Sequence, residues 1–310
     1  MSFVRTSALF SFVLVCAWCL IAAPSVRAQA CPEDGSFSYS ITGTGASTLG
    51  PFFTSLVFGY RDLSKETCPS YLTSSSGSGR SAIVSKKVPL LHLCCIENSI
   101  LASRICVCKI SQDYRTRSIH QVDFGASNTI FTVAEMAGKP KHWTFLASSA
   151  AIVLCYNVPE IPATVQLLVD RATVVQIYLR NIRFWNDTRL QALNPGVALP
   201  GKLINLVYRS DASGTTNTFL QALSSFDPVL WPYPVVDKMT WPIQTKEPMN
   251  AFPAAGNYQG AFQVAMNPYT IGYISLPFAS GLPYFAMTNR AGDNVTATSA
   301  AVQVFPCTTY

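Results

Sequence analysis

Three times along this chain a short apolar run ends in a Gly/Ser/Thr-rich loop that opens a helical pattern, and this repeat limits the fold more than any other feature. The first run, 37–42, leads through Gly43–Thr48 into a helix carrying Phe52, Phe53, Leu56, Val57 and Tyr60 at 3–4 spacing. The second is Tyr71-Leu72, the loop Thr73–Gly79, then Arg80–Ile83. The third is Leu203–Tyr208, the loop Arg209–Thr216, then Phe219, Leu220 and Leu223. Strands that alternate with helices predict an α/β architecture with helices packed on a largely parallel sheet. A helix is expected over 165–178, and Asn194–Gly201 reads as a turn-rich connector. With 49% apolar and 12% charged residues, the 310-residue chain has ample core material, which excludes disorder and allows two domains.

Loops of this kind capture anions. The first N–H groups of a helix lack intrahelical acceptors and carry partial positive charge, so they hydrogen-bond an oxyanion. Glycines let the backbone approach, and Ser/Thr hydroxyls add donors. Any one loop is equally an ordinary N-cap. Three in one chain, one of them holding an arginine able to bind two oxygens, favour the anion.

Other classes fit less well. Basic residues are scattered, with no run longer than Lys86-Lys87, so no nucleic-acid stripe is present. His92, His120 and His142 are the only histidines and none pairs at helical spacing, which argues against a metal. No Gly-x-Ser-x-Gly elbow and no P-loop occurs, and a His120/Asp123/Asp211 triad with one of many serines is a cheap coincidence. Neither a catalytic residue nor a cofactor is expected.

Residues 1–30 read as an export signal: Arg5, the apolar run Ser7–Ala23, a break at Pro24, and Ala28-Gln29-Ala30 before a cut after Ala30. The net charge of +6 falls to +4 when Arg5 and Arg27 leave. Export implies a secreted or periplasmic protein in an oxidising compartment, where disulfides persist. Cys31, Cys68, Cys155 and Cys307 allow three pairings that the sequence cannot separate, while Cys94, Cys95, Cys106 and Cys108 crowd together at spacings unsuited to zinc.

Thr42–Pro51, Val122–Asn128 (VDFGASN) and Val207–Thr216 (VYRSDASGTT) together resemble the phosphate-binding component of bacterial-type high-affinity phosphate ABC transporters, the PstS-like members of the periplasmic binding protein superfamily. Phe184–Asp187, Ala192–Gly201 and Ile271–Ile274 are similar to that family's connector and late strand, so the resemblance covers most of 37–290. It implies a two-lobed type II binding-protein fold, hinged, with the ligand cleft between the lobes. The lobes would be 31–157 plus 270–310, and 158–269. It also implies a monomeric, non-enzymatic binder of inorganic phosphate whose partner is an ABC-transporter membrane complex or another cell-surface protein. The matching positions are Thr48 and the N–H of Leu49 (with Ser47 as the competing choice), Ser76, Asn128, Arg209, Ser213, Gly214 and Thr215. Asp211 matches the acidic residue that holds the arginine in place, and Arg209 is expected to be the only side-chain positive charge in the site.

Two departures stand out. The family's motif ends in an aspartate that accepts the phosphate proton and repels proton-free sulfate; here the position is Asn128. A carboxamide both donates and accepts, so sulfate binding becomes an alternative, as does, from another class, a secreted phosphatase-like hydrolase. The other departure is an insertion at about 84–117, rich in cysteine. It reads as a retained intron, since Val84-Ser85-Lys86 can be encoded by a splice-donor sequence, against a cysteine-rich docking loop. A eukaryotic source would make Asn186-Asp187-Thr188 and Asn294-Val295-Thr296 glycosylation acceptors.

Overall fold

The structure, a computed structural model, describes residues 37–64, 66–84, 102–108, 122–137, 144–239 and 251–298. In chain order the strands are β1 Tyr39–Ala46, β2 Thr67–Ser74, β3 Ala102–Cys108, β4 Phe124–Ser127, β5 Thr144–Asn157, β6 Leu168–Val169, β7 Asn205–Arg209, β8 Ala251–Ala254, β9 Thr270–Ser275, β10 Ala286–Thr288 and β11 Asn294–Val295. The helices are α1 Gly50–Leu63, α2 Ser76–Val84, α3 Val133–Met136, α4 Arg171–Tyr178, α5 Thr188–Leu193, α6 Gly214–Phe226 and α7 Gly256–Met266.

Eight strands form one sheet in the order β2-β1-β4-β3-β5-β9-β7-β8. β1 runs parallel to β2 and β4, and β7 runs parallel to β8 and β9, so each end of the sheet has the parallel character that the strand–helix alternation predicts. β5 joins the ends. Its first part, 144–151, pairs antiparallel with β3, and its second part, 152–157, pairs antiparallel with β9. The two halves thus have separate hydrophobic cores. The larger gathers Trp185, Tyr178, Phe219, Tyr273 and Trp231 around the second part of β5. The smaller packs Leu49, Phe53, Val57 and Tyr71 against Ala126, with the Phe53 and Tyr71 rings stacked at 4.4 Å.

Several expectations are corrected. β9 lies against β7, and Phe285 and Met287 pack with Trp185, so 270–288 belongs by pairing and core with the second half, not with the first lobe. The helix expected over 165–178 begins only at Arg171, because Asp170 caps it, its carboxylate accepting from Thr173 N at 2.7 Å. Leu168-Val169 is instead a strand, held by Asn194 of the connector, which bonds both the N–H and the C=O of Leu168. Of the five apolar positions expected on α1, only Phe53 and Val57 are buried; Phe52, Leu56 and Tyr60, a quarter-turn away, face solvent. Cys155 is buried and free, so it enters none of the three pairings, and burial pushes its thiol pKa well up. Of the insertion, only Val84 and the backbone of 102–108 are described, and the latter is a strand between β4 and β5. Cys31, Cys94, Cys95, Cys307, the three histidines and the leader lie outside the described residues.

The loop read at Thr73–Gly79 is nearly all secondary structure: β2 runs to Ser74 and α2 starts at Ser76. Glycine is needed there for proximity. A Cβ on Gly79 would sit 2.4 Å from Ala126 O and 2.8 Å from the Gly45 Cα, and Gly45 itself has φ +147°. β1, α2 and β4 can converge only because these positions carry no side chain.

Candidate anion-binding site

Four helix N-termini meet where the two halves touch. After β1, a 3-10 turn, Ser47–Leu49, delivers the chain into α1, and Ser47 and Thr48 are both buried. The Leu49 side chain is packed in the small core, so only its backbone can face a ligand. α2 begins with Ser76, which donates to Asn128 Oδ1 at 3.1 Å and accepts from Asn128 N at 3.2 Å. From the other half, α6 begins at Gly214, capped by Ser213, whose hydroxyl accepts from Thr216 N at 3.3 Å. α7 begins at Gly256, whose N–H donates to Asp211 at 3.2 Å.

The expected residues are brought together. Thr48 Oγ1 and Thr215 Oγ1 are 3.4 Å apart across the contact, and Asn128 Nδ2 approaches Thr48 Oγ1 at 3.5 Å. A Cβ on Gly214 would meet Asn128 Cβ at 2.3 Å and Ser76 Oγ at 2.7 Å, so α6 can dock against the Ser76–Asn128 pair only with glycine first. Gly77 N donates to Ala212 O at 3.0 Å, a backbone bond between the halves. The Ser213 N–H departs from expectation, because it is given to Asp237 O at 2.8 Å. Of the three N–H groups expected at this helix start, those of Gly214 and Thr215 remain without acceptors among the described residues.

Arg209 ends β7 and is 3% exposed. Its Nε and Nη2 donate to the two oxygens of Asp211 at 2.6 and 2.5 Å, while Nη1 is buried without a hydrogen-bond partner. Burial alone would raise the Asp211 pKa, but the Arg209 hydrogen bonds and charge outweigh it and hold the carboxyl below its usual value. Asp211 thus grips two of the three guanidinium nitrogens; Asp123 accepts from Thr42 N at 2.8 Å, and His120, the histidine of the imagined triad, lies outside the described residues. No group of three His, Cys, Asp or Glu placed to hold a metal occurs among the described residues.

Sequence reasoning missed three contributors. Arg80, one position past the second loop, is a second cation at the margin; its guanidinium pairs with Asp237 and donates to Thr129. Arg209 is thus not the sole positive charge here. Tyr273 accepts from Arg209 N at 3.0 Å and pairs with Thr216 Oγ1 at 2.9 Å. Asn257, at the second position of α7 and fully buried, reaches Ser47 and Thr48. A signal for it existed: Ala251–Ala254 followed by Gly256-Asn257 is a fourth strand, loop and helix start of the same kind.

A family model described as a PBP superfamily domain matches residues 26–305. The chain belongs to this superfamily. Among its PBP relatives, the phosphate-binding protein PstS of Methanocaldococcus jannaschii is 35% identical over 159 residues, 49% of this chain and 40% of the relative. PstS of Haemophilus influenzae is 29% identical over 262 residues, 83% of this chain and 64% of the relative. The chain therefore spans about two fifths of the length of one of these relatives and just under two thirds of the other. In fold, this PBP chain is similar to a high-affinity periplasmic phosphate-binding protein, PfluDING, solved with bound phosphate: TM-score 0.55 and 14% identity, covering 86% of this chain and 68% of that one.

Proposed function

We propose that this protein binds inorganic phosphate outside the cytoplasm and performs no chemistry on it. The observation that carries the reading is the buried, unpartnered Nη1 of Arg209 in the same loop as the uncommitted N–H groups of Gly214 and Thr215. Opposite them stand the hydroxyl of Thr48 and the amide of Asn128, whose Oδ1 is held by the Ser76 hydroxyl. A tetrahedral oxyanion satisfies such a donor set at once, through charge-assisted hydrogen bonds to Arg209 and two helix starts. The PstS relatives supply the ligand's name. We place the hinge on β5, with 270–288 in the second lobe, and the mature chain beginning after Ala30. The partner in this reading is an ABC-transporter membrane complex, served by a monomeric binder.

The test is titration calorimetry of the leader-free chain with phosphate, alongside incubation with a chromogenic phosphate ester. One-site binding without hydrolysis is expected. Absence of phosphate binding refutes the reading, and turnover of the ester refutes its non-enzymatic part. Sulfate is a second reading with its own observation. Asn128 Oδ1 is occupied by Ser76, which turns the amide donor toward Thr48, and a donor there accepts a proton-free oxyanion as readily as a protonated one.

A further inference from the structure

Asn257 is 0% exposed, and its amide has one allowed orientation. Oδ1 accepts from Ser275 N at 3.1 Å; a turned amide would set Nδ2 against that N–H, donor to donor. Nδ2 therefore faces the first loop, donating to Ser47 Oγ at 3.0 Å and to Thr48 Oγ1 at 3.3 Å. The Asn257 backbone N–H adds a second donor to Ser47 Oγ at 3.4 Å, and Asn128 Nδ2 adds a second to Thr48 Oγ1 at 3.5 Å. A hydroxyl has two acceptor sites and one proton. With both acceptor sites of each oxygen taken by N–H donors, the single O–H of Ser47 and of Thr48 is left to donate elsewhere; that of Thr48 has Thr215 Oγ1 within reach at 3.4 Å, across the contact between the halves, an acceptor that a bound anion would replace.

We infer that Asn257 is a positioning residue: from the second half of the protein it forces the Ser47 and Thr48 hydroxyls to present their protons to the anion. The inference rests on the phosphate reading above. It also ties affinity to closure, because β1 and α7 lie in opposite halves of the sheet and the loops preceding α1 and α7 meet only when those halves are together.

Asn257→Asp keeps the acceptor for Ser275 N but replaces the amide donor by a carboxylate oxygen, which takes the hydroxyl protons for itself. At pH 8 this variant should bind phosphate at least ~10-fold more weakly than the parent, the size of one lost charge-assisted bond. At pH 5, burial and the bound anion favour the neutral carboxylic acid, whose O–H can donate again, so the loss relative to the parent at that pH should shrink to ~3-fold or less. In a Thr48→Val background, Asn257→Asp should cost at most ~3-fold at pH 8, since of the two hydroxyls it holds Thr48 is the one that reaches Thr215 across the site, and that hydroxyl is gone. Thermal melting of the ligand-free variants confirms that each is folded, and Asn257→Ser, a smaller donor, serves as a second variant if Asp does not fold. Equal losses at both pH values, or the full loss in the Thr48→Val background, would overturn the inference while leaving phosphate binding in place. A parent chain that binds no phosphate would overturn both.

Discussion

Arg209→Ala removes a guanidinium whose three nitrogens stand in different situations: Nε and Nη2 are spent on Asp211, and Nη1 is buried without an acceptor. A charged hydrogen bond from Nη1 to a bound oxyanion is worth ~1.5–3 kcal/mol, which is about ten- to a hundredfold in affinity. A second loss follows from the first. Asp211, deprived of the arginine, retains the Gly256 N–H but becomes an unneutralised carboxylate beside an anion. Arg209→Ala should therefore fall at or beyond the upper end of that range, and adding Asp211→Asn should restore about tenfold by removing the stranded charge. Arg209→Lys should lie between, since one ammonium cannot both serve the Asp211 fork and reach the ligand. Titration calorimetry at fixed ionic strength reads all four proteins. Phosphate affinity within about twofold of the parent for Arg209→Ala would remove Arg209 from the site, and a double variant no better than the single would refute the role given to Asp211.

Three further outcomes are expected. Asn128→Asp leaves only acceptors facing Thr48 and should shift preference from sulfate toward phosphate by ~1–3 kcal/mol, because the carboxylate takes a phosphate proton that sulfate does not have; equal displacement of radiolabelled phosphate by sulfate from both forms, at pH 6 and pH 8, would show that residue 128 does not set selectivity. Asp237→Asn removes the ion pair with Arg80 that links the halves, so phosphate should leave about two- to fivefold faster, most visibly at low salt, in stopped-flow release. Asp211 has a depressed folded pKa, so its contribution to stability is present above the ordinary carboxylate value near ~4 and disappears as pH falls through the lower folded value. Melting temperature plotted against pH should then have a shallower acid limb in Asp211→Asn, and parallel limbs in the two proteins would contradict the ion pair's role in stability.

The site was legible wherever its chemistry is local in sequence. Ser213, Gly214, Thr215 and Arg209 lie in one loop, so cap, helix start and cation are read together, and the structure keeps them together. What pairing decides at a distance was not legible. The Ser213 N–H is lost to Asp237, and the returning strand β9 joins the second half because β7 and the second part of β5 offer it both edges. Glycine and serine at 75–79 read as a loop because nothing local reveals that Ala126 and Gly45 press against Gly79. Asn257 was hidden for a different reason. Its role needs Ser47 and Thr48, more than two hundred residues earlier, and Ser275, and a lone asparagine after a glycine is the commonest of turn signals. Yet its junction repeats the device that exposed the other three loops. A strand ending in small residues before a helix is worth reading as a binding element each time it occurs, even where, as at 254–257, it lacks the serines and threonines that advertise the rest.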